Sequence, residues 1–153
     1  MTIIRKTEVP ETEGISAYPG PYTLGRGRQF YREVSDAGGL TQFGAMVERL
    51  VPGGRSSQTH WESHEDEFLY MIEGSLTVIE GEEESLIGPG DCCVWKAGTP
   101  VGHALRNDSE ADCLYLVVGS RNPENTTTYP GIDLLHPPQG YTHADGTPWT
   151  QTD

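Results

Sequence analysis

Short segments of the chain alternate hydrophobic and polar residues with a period of two, which is the pattern of half-buried β-strands. Besides the segment 67–73, strands are predicted over 30–34, 41–51, 58–62, 75–80, 84–87, 91–95, 101–107 and 112–119. The segment 41–51 fits a helix or a strand by its period alone, and its β neighbours favour a strand. The clearest strand is 67–73, with one face formed by Phe68, Tyr70 and Ile72 and the other by Glu67, Leu69 and Met71.

Glycine and proline mark the turns between these segments. The 19 glycines and 11 prolines of the chain suit a protein of many short strands. Glu73-Gly74 has the composition of a tight hairpin, Gly88-Pro89-Gly90-Asp91 that of a type II turn, and 36–39 that of a further turn. No segment carries start and stop signals around a helix of ordinary length. The pattern therefore predicts an all-β barrel or sandwich.

The 153 residues predict one domain with an extended segment at each end. Residues 1–28 are rich in proline, glycine and threonine and are expected to form an N-terminal arm. Residues 29–120 contain the predicted strands and should form the barrel. Residues 121–153 are irregular and are expected to pack as a C-terminal tail on the barrel or on a neighbouring subunit.

The net charge of −13 argues against two kinds of partner. An acidic surface repels the phosphates of nucleic acids and of anionic membranes, so neither is expected to bind. No apolar segment has the length of a signal peptide or a membrane span. The three cysteines, Cys92, Cys93 and Cys113, show no CxxC spacing. These features favour a cytoplasmic protein with reduced, buried thiols.

One histidine and two carboxylates lie within eight residues around the start of the clearest strand. His60 and Glu62 are two residues apart and face the same side of a predicted strand, while Glu67 begins the next one. His103 lies on a later strand, which an antiparallel barrel can place alongside. Imidazole nitrogen and carboxylate oxygen bind Zn, Mn, Fe, Ni or Co, so these four residues are candidate metal ligands. The alternative is that they are polar residues of the surface or of the core.

Two segments around these residues have the spacing of a known pair of motifs. The first motif, G-x5-H-x-H-x3,4-E-x6-G, is matched by Gly54, His60, Glu67 and Gly74, with Glu62 in place of the second histidine. The second motif, G-x5-P-x-G-x2-H-x3-N, is matched in order by Gly90, Gly98, His103 and Asn107. It departs from the pattern at Lys96, which replaces the proline, and by two residues inserted before the histidine. The chain thus resembles the cupin superfamily, and its wider sequence is similar to small bacterial single-domain cupins of unassigned substrate.

This resemblance implies a fold, a metal site and an assembly. The fold would be a double-stranded β-helix, a jelly-roll-like barrel with the site inside. The ligands would be His60, Glu67 and His103, with Glu62 at the fourth position, and the ion would be a divalent transition metal such as Zn, Mn, Fe or Ni. Because cupins often pair by exchanging terminal strands, a homodimer is expected.

Glu62 leaves three interpretations open. In the first it is a true ligand, and in the second the site is metal-free and serves acid–base chemistry or binding. In the third, His64 replaces the missing histidine, although it lies in a predicted turn. Of the neighbouring residues, Trp61 is expected to pack in a core layer and Lys96 to be a solvated turn lysine. Trp95 is expected to pack in the core or to line the cavity.

Two functions fit these features. The first is a metalloenzyme acting on a small molecule, and oxygenase, isomerase, decarboxylase and lyase chemistry all occur among cupins. A sugar-phosphate isomerase would need several basic residues around the cavity, whereas the chain has only ten Lys and Arg. The alternative is a metal-free cupin that binds a small molecule without catalysis.

Overall fold

A computed structural model of the protein describes residues 2–14, 17–25 and 28–150. Within these residues the chain is almost entirely β, with one α-helix, α1 (Val34–Ala37), and two short 3-10 helices, Lys6–Glu8 and Gly20–Tyr22. The strands are β1 (Thr12–Glu13), β2 (Gln29–Glu33), β3 (Phe43–Leu50), β4 (Trp61–Glu62), β5 (Glu67–Glu73), β6 (Leu76–Glu80), β7 (Glu83–Ile87), β8 (Cys92–Trp95), β9 (His103–Arg106), β10 (Cys113–Ser120), β11 (Thr127–Thr128) and β12 (Leu135–His136).

The strands form three antiparallel sheets. The largest has the order β1-β2-β3-β10-β5-β8, and the other two have the orders β7-β6-β9 and β12-β11-β4. The core lies between the largest sheet and the β7-β6-β9 sheet and consists of Leu50, Leu69, Met71, Leu76, Val78, Leu105, Cys113 and Tyr115. This is the double-stranded β-helix that the resemblance implies, and it confirms the all-β barrel predicted from the strand pattern.

The alternation in β5 has the predicted structural consequence. Leu69 and Met71 are fully buried in the core, whereas Phe68, Tyr70 and Ile72 on the opposite face are each about two-fifths exposed. Because side chains two positions apart on β5 point to the same face, Glu67 at its first position points into the barrel together with Leu69 and Met71. The core register of β5 therefore determines where this carboxylate lies.

The region between β2 and β3 differs from the prediction. The expected strand over 30–34 ends at Glu33, and α1 occupies part of the expected turn. The buried side chain of Ser35 accounts for this change, because its Oγ accepts a hydrogen bond of 2.8 Å from the backbone N–H of Ala45 on β3. The helix thus fastens the end of β2 to the neighbouring strand.

Both ends of the chain add strands to the barrel. At the N-terminus, β1 pairs with β2. The C-terminal segment is less irregular than predicted, because β11 pairs with both β12 and β4. Thr127 lies opposite Glu62, and Thr128 lies opposite Trp61. None of the described helices is long and apolar enough to cross a membrane.

All three cysteine thiols are free. Cys113 is buried in the core, and burial raises the pKa of its thiol to about 11. Cys92 is exposed on β8, so the prediction that the thiols are buried is wrong for this residue. It lies on the outward face of its strand, where alternation places it opposite to Cys93.

Candidate metal centre

His60, Glu67 and His103 come together inside the barrel. Their side chains each offer a ligand atom, and these atoms lie within 4.8 Å of one another. The backbone brings the histidines together, because His60 and His103 exchange two hydrogen bonds of 3.0 and 2.8 Å across an isolated bridge. Glu67 enters from the first position of β5. Three of the four predicted ligands therefore converge on one point.

The hydrogen bonds of His60 orient its ring toward this point. Its Nδ1 lies 2.9 Å from the carbonyl oxygen of Gln58, which can only accept a hydrogen bond. Nδ1 therefore carries the proton, and Nε2 keeps its lone pair facing the site. Burial lowers the pKa of His60, which favours the neutral form that binds a metal ion.

Glu67 and His103 make a close contact that leaves one oxygen unsatisfied. Oε2 of Glu67 lies 2.7 Å from Nε2 of His103, but this buried oxygen accepts no hydrogen bond of acceptable geometry. Burial raises the pKa of Glu67, yet the close contact with His103, together with the charge that either imidazole carries when protonated, outweighs this effect, and its pKa lies below the ordinary value. The carboxylate is therefore ionised and available to a cation. Trp95 stacks on His103, with ring centroids 4.1 Å apart, and limits its rotation.

Glu62 lies beside the three converging residues but is held by other partners. Its Oε1 is 3.9 Å from Nε2 of His60. Thr127 donates to the carboxylate at 3.0–3.1 Å, and Asn125 donates to Oε2 through its side-chain amide. The group whose ligand atoms converge does not include Glu62. Its role as a fourth ligand stays a prediction.

His64 does not lie in the site. Its side chain is exposed, and its Nδ1 lies 2.8 Å from Oγ of Ser63 in the turn before β5. The interpretation in which His64 replaces the missing histidine is therefore wrong, because the turn directs this residue to the surface.

A cavity of about 190 Å³ adjoins two of the three residues, Glu67 and His103. Its lining includes Trp61, Trp95, Lys96 and Glu80 beside Glu67 and His103. Trp61 is only half-buried there, which corrects the expectation that it packs in a core layer. Lys96 is exposed, as expected of a turn lysine, but it also stands on the wall of the cavity. A larger cavity of about 550 Å³, between residues 4–11 and the outer side of β3, contains none of the three residues.

The sequence offered little sign of the residues that hold Glu62. Asn125 and Thr127 belong to the polar run 125–128, more than sixty positions beyond Glu62. Their contribution depends on the pairing of β11 with β4, which no local pattern reveals. Glu65 was also missed, and its Oε1 accepts a hydrogen bond of 2.7 Å from the backbone of Asn122. The C-terminal segment thus holds Glu62 and Glu65 beside the site.

Comparisons with known proteins agree with this architecture. Residues 46–119 match the family model of the cupin domain. A sugar phosphate isomerase of the cupin superfamily from Silicibacter pomeroyi is 33% identical, with 99% of each chain covered and a TM-score of 0.89. No curated protein matches the chain. The chain belongs to the cupin superfamily.

Two further solved structures share the fold at lower identity. A protein proposed to be a sugar phosphate isomerase, from Acidithiobacillus ferrooxidans, is 20% identical, with 94% of this chain and 91% of that chain covered and a TM-score of 0.79. A polyketide cyclase from Streptomyces resistomycificus is 20% identical, with 78% and 79% covered and a TM-score of 0.61. The same barrel therefore supports different reactions, and the site itself must indicate the function.

Proposed function

We propose that this protein is a metal-dependent cupin enzyme that isomerises a small hydroxylated aldehyde or ketone. The ion would be a divalent transition metal held by His60, Glu67 and His103. The observation that carries the metal site is the buried Oε2 of Glu67, which accepts no hydrogen bond although ligand atoms of both histidines lie within 4.8 Å. A buried carboxylate oxygen without a donor is costly unless a cation compensates it.

The donor set fits such an ion. Imidazole nitrogens and one carboxylate suit first-row transition metals without selecting one of them. His60 is already in the required tautomer, since its Nδ1 donates to the carbonyl of Gln58. A bound divalent ion supplies Lewis-acid polarisation of a carbonyl oxygen.

The chain's own residues supply the remaining requirements of an isomerisation. Interconversion of an α-hydroxyaldehyde and an α-hydroxyketone moves one proton between adjacent carbons and another between their oxygens. It therefore needs a general base close to the substrate, and a carboxylate can serve as that base. Glu62 stands on the cavity wall, and Asn125 and Thr127 fix its orientation. Trp61 and Trp95 shield part of the cavity from water. Support for the reaction class comes from the 33% identical relative from Silicibacter pomeroyi, which carries the name of a sugar phosphate isomerase.

Metal content is the first test. Elemental mass spectrometry of tag-free protein should find close to one divalent transition metal per chain, and a His60→Ala, His103→Ala double variant should lose it. The matched control is His136→Ala with His143→Ala, which removes two histidines outside the group and should keep the metal. Absence of metal from the wild type, even after refolding with Mn, Fe, Ni or Zn, would favour the metal-free binding protein instead.

The reaction is tested separately. Metal-loaded protein should interconvert an aldose and the matching ketose, followed by NMR for a panel of free and phosphorylated sugars. Glu62→Gln should lower turnover at least a hundred-fold, because the amide cannot accept the proton. Metal binding without turnover of any sugar in the panel would exclude the isomerase and retain the metal site.

A further inference from the structure

The charges around the candidate site bear on which hydroxylated compound it accepts. We infer that the substrate is an uncharged monosaccharide-sized compound rather than a phosphate ester. This inference rests on the proposed function and goes against the phosphorylated substrate in the name of the 33% identical relative.

The cavity beside His103 is strongly acidic. Its described lining includes four carboxylates and one lysine, which are Glu62, Glu65, Glu67, Glu80 and Lys96. A divalent ion would still leave the lining with a net negative charge. Phosphate sites in proteins have the opposite character, because they use arginine and lysine clusters or backbone N–H groups. A phosphate dianion would therefore be repelled at short range, where solvent screening is weak.

The space on the other side of Glu67 does not provide a phosphate site either. A second cavity of about 270 Å³ is lined there by Glu33, Asp36, Glu65 and Glu67. The one cation among the described residues of this lining, Arg121, is already engaged by the carboxylate of Asp36 and by the carbonyl oxygen of Leu40 at 3.0 Å. Among the described residues, neither cavity beside Glu67 offers a pair of free cations.

The same lining suits a neutral sugar. Carboxylate oxygens and the hydroxyl of Thr99 can accept hydrogen bonds from several substrate hydroxyls. Trp61 and Trp95 present apolar aromatic surface for the C–H groups of a sugar. The volume of about 190 Å³ is below the roughly 300–1,000 Å³ of pockets for drug-sized ligands, which favours a small molecule.

The test uses matched pairs of ligands on metal-loaded protein. Glucose, mannose and fructose are compared with their 6-phosphates by isothermal titration calorimetry at 0.1 M salt. At least one free sugar should bind ten-fold or more tightly than its own ester. Tighter binding of the esters, or no detectable binding of any free sugar, would overturn the inference.

Two variants, each with a control variant, connect this preference to the lining. Glu80→Lys should raise the affinity for the ester at least ten-fold, because Glu80 lies opposite His103 in the strand pairing and on the cavity wall. Glu83→Lys makes the same charge change outside the 190 Å³ cavity and should not raise it. Trp61→Ala should weaken binding of the free sugar at least ten-fold, and Trp61→Phe should restore most of it. An equal response to both lysine variants would assign the effect to overall charge and contradict the inference.

The outcome for the substrate class is separable from that for the proposed function. Turnover of a phosphate ester would support the isomerase while rejecting the uncharged substrate. Binding of free sugar without turnover would support the substrate class while rejecting the isomerase. The elemental analysis reports on the metal independently of both.

Discussion

Glu62 and Glu67 are both carboxylates close to His60, but their surroundings differ. Oε2 of Glu67 accepts no hydrogen bond, whereas both oxygens of Glu62 accept hydrogen bonds from Asn125 or Thr127. We therefore expect Glu67→Gln to weaken metal binding more than a hundred-fold and Glu62→Gln about ten-fold or less. Competition with a chelator of known affinity measures both losses. Equal losses would make Glu62 a ligand, as the sequence predicts.

Glu48 is a buried carboxyl that does not belong to the group of three converging residues. Tyr115 and Gln29 donate to its Oε2 at 2.6 and 2.9 Å, but burial outweighs these bonds and raises the pKa of Glu48 above 4.5. A carboxyl whose pKa is raised on folding makes the folded state more stable at low pH than at high pH. This contribution is lost as pH rises from about 4.5 through the folded-state pKa.

Glu48→Gln should remove this pH dependence. As pH rises above about 4.5, the unfolding free energy of the wild type should fall relative to that of the variant until the Glu48 carboxyl is fully ionised. Chemical denaturation at intervals of pH measures the difference. Glu83→Gln, at an exposed carboxyl, is the control and should follow the wild type. Parallel curves for the wild type and Glu48→Gln would contradict the prediction.

Gly54, the first glycine of the first motif, lies in the connection that follows β3, and a side chain does not fit there. A Cβ at Gly54 would lie 2.5 Å from the carbonyl oxygen of Arg28 and 2.8 Å from that of Val51. Both contacts are to backbone, so Gly54→Ala should destabilise the protein by about 1–3 kcal/mol. Gly88→Ala is the matched control, because no atom lies within 4 Å of its added Cβ. Thermal unfolding of the two variants checks this, and equal melting temperatures would refute it.

Local patterns predicted strands best where buried and exposed residues alternate. β5 is the best case, since Leu69 and Met71 enter the core and Phe68 and Tyr70 do not. The same patterns failed where structure depends on distant partners. The expected strand 58–62 is reduced to β4, and its pairing with β11 in the C-terminal segment was not foreseen. The motif spacing located His60, Glu67 and His103 but could not show what holds Glu62.

The whole molecule carries an apolar patch on the outer face of the largest sheet. It consists of Phe68, Tyr70 and Ile72 on β5 and Val94 on β8, which are 38%, 43%, 41% and 72% exposed. Phe68 and Val94 are direct neighbours in the strand pairing. β8 is also the last strand of its sheet. An apolar face beside an open edge is a common site of association.

This patch gives the expected homodimer a location. Sedimentation should find twice the chain mass of 16.8 kDa for the wild type, and a Phe68→Glu, Val94→Glu double variant should sediment as a monomer. Leu86→Glu is the control, because Leu86 is 74% exposed on β7 in a different sheet. Each chain carries a net charge of −13, so repulsion between two copies opposes pairing, and added salt should tighten the dimer. A wild type that sediments as a monomer at high salt would exclude the homodimer, whereas a variant that remains dimeric would move the interface to another surface, such as the terminal segments.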